Sequence, residues 1–109
     1  MKKILYIQVP DLDDSFARVT LDGRAYLIRF SFNSLAERWR FGIYTMLKEA
    51  IAIGLPIVPN FPLNMQVVDD RFPSGVFGVY SKLEHIGRSD FKEGRATFAY
   101  IPKNEVKTR

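Results

Sequence analysis

The stretch that decides the fold is SFARVTLDGRAYLIRFSF, residues 15–32. Two β-prone runs flank Asp22-Gly23, and this dipeptide is the strongest short signal for a β-hairpin, because a type I′ turn needs positive φ at both central positions. A two-residue loop fixes the register, so we expect Leu21 to pair with Arg24. One face of the hairpin is then largely apolar and should lie on the core.

The next run, residues 37–44, alternates apolar and basic side chains. This period of two predicts a third strand and therefore a meander in the N-terminal half of the chain. The predicted core face of that strand carries Trp39, Phe41 and Ile43. We expect Trp39 to anchor the core.

Prolines recur every third residue at Pro56, Pro59 and Pro62. Proline cannot donate to a β-ladder, so this segment is predicted as a sheet edge or an extended crossing. A ligand for proline-recognising domains is the alternative. We favour a rigid connector packed on the core, because apolar residues are interleaved. The preceding residues 46–54 are predicted as a strand or as a turn followed by a strand.

The second half of the chain is also rich in strand signals. We predict strands at residues 64–68, 76–81 and 95–101, a bulge at Gly78, and at most a short helical turn near residues 89–91. The fold class is therefore all-β, mainly antiparallel: a small β-barrel or a sandwich. We expect one domain over residues 1–109, with a frayed tail at residues 103–109.

Catalytic and metal-binding groups are scarce in this composition. The 109 residues include no cysteine and one histidine, which removes disulfides, thiolate ligands and the cysteine nucleophile. His85 is predicted as a surface residue, and Asp69-Asp70 has no identifiable catalytic partner. Asp11, Asp13 and Asp14 lack the rest of a calcium loop and indicate a solvated turn. We expect no enzyme activity, no metal, no cofactor and no membrane partner.

A basic face is the candidate interaction surface. The meander places four arginines and one aromatic ring on its outward side: Arg18, Arg29, Arg38, Arg40 and Phe16. With a net charge of +4, such a face suits a protein interface, a solvated surface, or single-stranded nucleic acid bound on a small basic barrel. We expect nucleic acid to be the least suited of the three.

The order of the motifs resembles a known family. The leader ends in Val9-Pro10-Asp11-Leu12, and the hairpin is followed by Asn33 and Arg38-Trp39. The proline block spans residues 54–63, and Gly87-Arg88-Ser89-Asp90-Phe91 precedes Tyr100-Ile101-Pro102. This order is similar to that of the small baseplate hub plug proteins of contractile-tailed phages, known from a cyanophage tail and found in many prophages.

That resemblance implies a non-enzymatic virion protein at the central hub of the baseplate, close to the tail tube. It would help to close the tail before contraction, and its partners would be hub, spike or tube proteins. It implies residence in the host cytoplasm during assembly. The motifs that carry the resemblance are structural, including Asp22, Gly23 and Trp39, and they do not identify the contact residues.

Overall fold

The computed structural model describes residues 4–60, 62–64 and 69–103, and its secondary structure consists of seven strands. Their bounds are β1 Leu5–Ile7, β2 Asp14–Leu21, β3 Arg24–Asn33, β4 Arg38–Tyr44, β5 Ala50–Pro56, β6 Val76–Ser81 and β7 Ala96–Ile101. All pairings are antiparallel, in one sheet of order β2-β3-β4-β5 and another of order β1-β7-β6. The all-β prediction is confirmed.

The first hairpin has the predicted register, with Leu21 opposite Arg24 and Phe16 opposite Arg29. Asp22 and Gly23 have φ of 53° and 81°, the left-handed values that a type I′ turn requires. β4 continues the meander, and its alternation buries Trp39, Phe41 and Ile43 to 1% exposure or less.

A turn at residues 46–47 precedes β5. Of the two predictions for this segment, a strand or a turn followed by a strand, the second is confirmed. The Thr45 N–H donates to the Glu49 carbonyl at 2.9 Å and closes that turn. The pairing of β4 with β5 is irregular, with register shifts between Phe41 and Tyr44. Gly54 takes a φ of 66° within β5, so this edge strand is bent rather than flat.

The proline block carries the chain from one sheet to the other, as the connector prediction had it. Pro56 ends β5, and the Ile57 N–H then donates to the Trp39 carbonyl at 3.1 Å. Further on, the Asn60 N–H donates to Val79 in β6 at 2.7 Å. Pro59 is buried and Pro62 is exposed, so the middle of the connector packs on the core.

The second sheet holds two departures from the sequence prediction. Gly78 pairs regularly with Ala99, so the predicted bulge at Gly78 is wrong. β1, which pairs with β7, was not predicted as a strand, because three residues are too few to show a period. A short turn follows β6, where the Glu93 N–H donates to Ser89 at 2.9 Å.

The core lies between the two sheets and is built largely from aromatic rings. Phe30 and Phe41 of the four-stranded sheet meet Phe77 and Phe98 of the three-stranded sheet, with ring centroids 5.0 to 5.3 Å apart across the two sheets. β1 and β2 are not paired with each other, so the strands form a sandwich and not a closed barrel. Of the remaining predictions, the strand at residues 64–68 and the frayed tail fall largely outside the described residues.

Candidate interaction surface

The five side chains predicted as an interaction surface lie on one face of the four-stranded sheet. The register places Phe16 opposite Arg29 across β2 and β3. Strand alternation puts Arg18 beside Phe16, and Arg38 and Arg40 on the same side of β4. All five are exposed. We call this the outer face, since the opposite face of the same sheet packs on the core.

Arg29 is held at the centre of the outer face by Asp14. Its guanidinium makes two hydrogen bonds to that carboxylate, at 2.8 and 2.6 Å. These bonds lower the pKa of Asp14 and raise the pKa of Arg29 further above its ordinary value. The residue directly opposite Arg29 is Phe16, and Asp14 lies two residues before it in β2. Asp14 is therefore the diagonal neighbour of Arg29, and extending the predicted register from Ser15 to Asp14 indicates this contact.

The aromatic part of the outer face is a compact cluster. The rings of Phe16 and Tyr44 meet edge to face with centroids 5.2 Å apart, and the Lys48 ammonium lies 5.0 Å from the Phe16 centroid. Phe16 is 38% exposed. Lys48 lies in the β4–β5 turn, outside the predicted meander, so the alternation pattern did not indicate that it belongs to this face.

The other arginines of the outer face differ in how far they are engaged. Arg40 donates to the Gly54 carbonyl at 3.1 Å, which fixes it over β5. Arg18 and Arg38 form no hydrogen bond or ion pair with any part of the chain that the structure describes. Their charges are therefore available to a partner, whereas that of Arg29 is largely neutralised by Asp14.

A second cluster surrounds Trp39 at one end of the sandwich. The indole N–H donates to the Gly87 carbonyl at 2.9 Å. The Phe91 ring packs edge-on against it at 5.7 Å, and the Arg88 guanidinium lies 5.7 Å from its centroid. The separate sequence motifs around Trp39 and residues 87–91 thus meet in space.

Arg88 also ties the leader segment to this cluster. It donates to Asp11 at 2.7 Å and to Asp13 at 2.6 Å, residues 77 and 75 positions away. The first of these bonds lowers the pKa of Asp11. Asp11 and Asp13 lie in the exposed turn predicted there, whereas Asp14, also predicted in that turn, is the first residue of β2. The carboxylates of Asp11 and Asp13 pair with the distant Arg88, which no local pattern indicates.

Asp69, Asp70 and His85 do not converge on one site. Asp69 pairs with Arg71 at 2.9 Å, which lowers the pKa of Asp69 to about 2. Asp70 lines a pocket of about 260 Å³ whose lining includes neither Asp69 nor His85. Within residues 4–60, 62–64 and 69–103, no three histidine or acidic side chains are grouped to hold a metal ion. The same residues contain no helix long and apolar enough to span a membrane.

Comparison with known proteins assigns the family. The family model described as "Cyanophage baseplate Pam3 plug gp18" matches residues 4–103. The match includes both clusters, the leader aspartates and all seven strands. Comparison with curated proteins gives no match. Because the family model spans nearly the whole chain, this protein belongs to the family of cyanophage baseplate plug proteins.

Proposed function

We propose that this protein is a non-enzymatic structural component of a contractile phage or prophage tail. It plugs the baseplate hub close to the tail tube, and its partners are the hub, spike or tube proteins. Membership in the baseplate plug family supports a structural role in the baseplate. The observation that carries the partner-binding part of the proposal is the outer face, where arginines surround an aromatic cluster on a rigid sheet.

The outer face suits a protein partner that carries carboxylates. Arginine and aromatic side chains are enriched at protein interfaces, where a well-packed centre is ringed by polar groups. Here Phe16 and Tyr44 form the packed aromatic part, while Arg18 and Arg38 form no ion pair with any residue that the structure describes. Acidic groups on the partner would complement these two charges and the overall charge of +4.

Single-stranded nucleic acid fits the same face less well. Base stacking needs an aromatic ring with an open face. Lys48 covers the ring of Phe16, and Tyr44 closes its side. The small basic barrel on which that alternative rested is not formed, because the strands make two sheets. Binding to an oligonucleotide at low salt, lost steeply as salt rises, would favour nucleic acid instead.

The build of the domain suits a plug. Its extents are 36 × 34 × 22 Å, and its interior is one hydrophobic cluster of aromatic and aliphatic side chains between two sheets. Protein interiors packed in this way have low compressibility. Such a domain can block an opening smaller than its broad face without a moving part. Assembly of the plug into the tail would take place in the host cytoplasm, and its final location would be the virion baseplate.

The test is incorporation of outer-face variants into tails. A phage lacking the gene is complemented with wild type, with Arg38→Glu, or with Lys82→Glu, which makes the same charge change on an exposed residue beyond β6. We expect Arg38→Glu to reduce the amount of the protein in purified tails at least fivefold. We expect Lys82→Glu to leave it unchanged, with all three proteins melting alike.

Two outcomes would contradict the proposal. Incorporation of Arg38→Glu at the wild-type level would show that the outer face is not the surface that binds the partner. Absence of the wild-type protein from purified tails would show that it is not a component of the baseplate. Quantitative mass spectrometry of gradient-purified tails distinguishes the two.

A further inference from the structure

The two sheets have four edges, and three of them are protected against further pairing. β5 is bent by register shifts and by Gly54, and it ends in Pro56. β6 is covered by the connector: Asn60 bonds to it through both main chain and side chain, Leu63 through its main chain and Asn64 through its side chain. β1 is only three residues long. Short strands, bends, prolines and covering loops are the usual protections of sheet edges.

β2 is the exception. It has eight residues, contains neither proline nor glycine, and pairs with β3 in an unbroken register. No strand within residues 4–60, 62–64 and 69–103 pairs with its other side. A long, regular, uncovered edge of this kind is a template for pairing with another chain.

The register shows which backbone groups are free on that edge. The Phe32 N–H donates to the Asp13 carbonyl at 2.8 Å, and hydrogen-bonded pairs alternate along an antiparallel ladder. Ala17 and Val19 therefore bond to β3. The N–H and C=O groups of Phe16, Arg18 and Thr20 lie in the plane of the sheet and point away from β3, towards the open edge.

A cleft lies beside these groups. β1 forms one wall and β2 the other, and the space between them is about 450 Å³. Ala17 and Val19 line it and are only half-buried, although their side chains point towards the core. The sandwich is therefore incomplete on this side, where one more strand beside β2 would cover the core.

We infer that the β2 edge accepts one extended segment of a baseplate partner, in which acidic and apolar residues alternate. The segment would pair with the backbone of Phe16, Arg18 and Thr20. Its acidic side chains would lie on the outer face next to Arg18, and its apolar side chains would cover Ala17 and Val19. This inference rests on the proposed function for its partner and on the free edge for its mode of binding.

Charge favours such a partner over a second copy of the chain. Each copy carries a net charge of +4 and presents Arg18 on this edge without an ion pair to any residue that the structure describes. Pairing β2 with β2 of a second copy would bring these like charges onto one sheet face. The one carboxylate that β2 carries there, that of Asp14, is already bound by Arg29. An acidic strand supplies a carboxylate for Arg18.

Hydrogen exchange tests the inference at the level of single amides. In the isolated protein, we expect the amides of Phe16, Arg18 and Thr20 to exchange at least tenfold faster than those of Ala17 and Val19. In purified tails, the first three should slow at least tenfold, because the added strand accepts their hydrogens. Unchanged exchange at these three amides in tails that contain the protein would overturn the inference while leaving the proposed function intact.

A proline variant provides an independent test. Arg18→Pro removes an outward N–H and leaves the bonds to β3 in place, so it should fold but lose at least fivefold in incorporation into tails. Arg18→Glu keeps the N–H and reverses the charge, and should also reduce incorporation. Wild-type incorporation of both variants would overturn the inference. If Arg18→Pro does not fold, Arg18→Glu and the amide measurement decide the matter.

The second-copy alternative is decided by the isolated protein. We expect it to sediment as a monomer at 100 µM or so, a concentration at which weak edge pairing is populated. A dimer with slow exchange at Phe16, Arg18 and Thr20 would overturn the inference in favour of self-pairing. Absence of the wild-type protein from tails would overturn both the inference and the proposed function.

Discussion

The hydroxyl of Tyr100 in β7 donates a 2.6 Å hydrogen bond to the carboxylate of Asp22, in the turn of the β2–β3 hairpin. The two residues are 78 positions apart, and the bond joins one sheet to the turn of the other. The same hydroxyl accepts the backbone N–H of Gly75 at 2.7 Å. Asp22 therefore forms part of the turn with its backbone, and its side chain links that turn to the other sheet.

Removing this hydroxyl should destabilise the fold. Tyr100 is 1% exposed, so Tyr100→Phe leaves the Gly75 N–H buried without its acceptor. We expect the free energy of unfolding to fall by about 1–3 kcal/mol, measured by urea denaturation. Tyr80→Phe, at a position 47% exposed in β6, is the matched control and should change it by less than about 0.5 kcal/mol. Equal effects of the two variants would contradict this role.

The same bond predicts a loss of stability in alkali. Burial and the Asp22 carboxylate raise the pKa of Tyr100 above its ordinary value. The native state then holds this proton more tightly than the unfolded chain, whose tyrosine pKa is about 10. The contribution is fully present below about pH 10 and is lost as the pH rises beyond it. The difference in free energy of unfolding between wild type and Tyr100→Phe should therefore shrink between pH 8 and pH 11.

The hairpin turn should tolerate only residues that adopt a left-handed backbone. Gly23 has a φ of 81°, and a Cβ placed there meets no atom within 4 Å, so the cost of substitution comes from the backbone alone. We expect Gly23→Val to lower the free energy of unfolding by at least about 1 kcal/mol. Gly23→Asn should cost less, because asparagine visits this conformation readily. An unchanged melting temperature for Gly23→Val would contradict the type I′ turn.

Of these substitutions, Trp39→Ala should lower the free energy of unfolding the most. It is 1% exposed and packs against Phe32 and Phe91. We expect Trp39→Ala to lower the free energy of unfolding by about 3–5 kcal/mol, followed by circular dichroism in urea. Leu35→Ala, at a turn position 97% exposed, should have little effect. A loss below about 1 kcal/mol for Trp39→Ala would show that the indole is not an anchor.

Local chemistry accounts for the part of the fold that the sequence predicts well. Asp22-Gly23 dictates both the turn and the register, and that register places Phe16, Arg18 and Arg29 on the outer face. The alternation around Trp39 then extends the sheet by one strand. These features depend on neighbours within a few residues, which is why a single sequence is enough to reveal them.

The features that escape prediction depend on distant parts of the chain. Arg88 meets Asp11 and Asp13 across more than 70 residues, and Tyr100 reaches Asp22 in the same way. β1 is a strand because β7 pairs with it, not because of its own pattern. Gly78 suggested a bulge, yet its pairing with Ala99 in β7 is regular.

The most direct test of the account is cryo-electron microscopy of purified tails from the wild-type phage and from one lacking this gene. We expect density for the seven-stranded sandwich at the centre of the wild-type baseplate, against the hub and next to the tail tube. That density should be missing, and the hub open, in the deletion tails. Identical baseplates in the two samples would contradict the assignment of this protein as the plug.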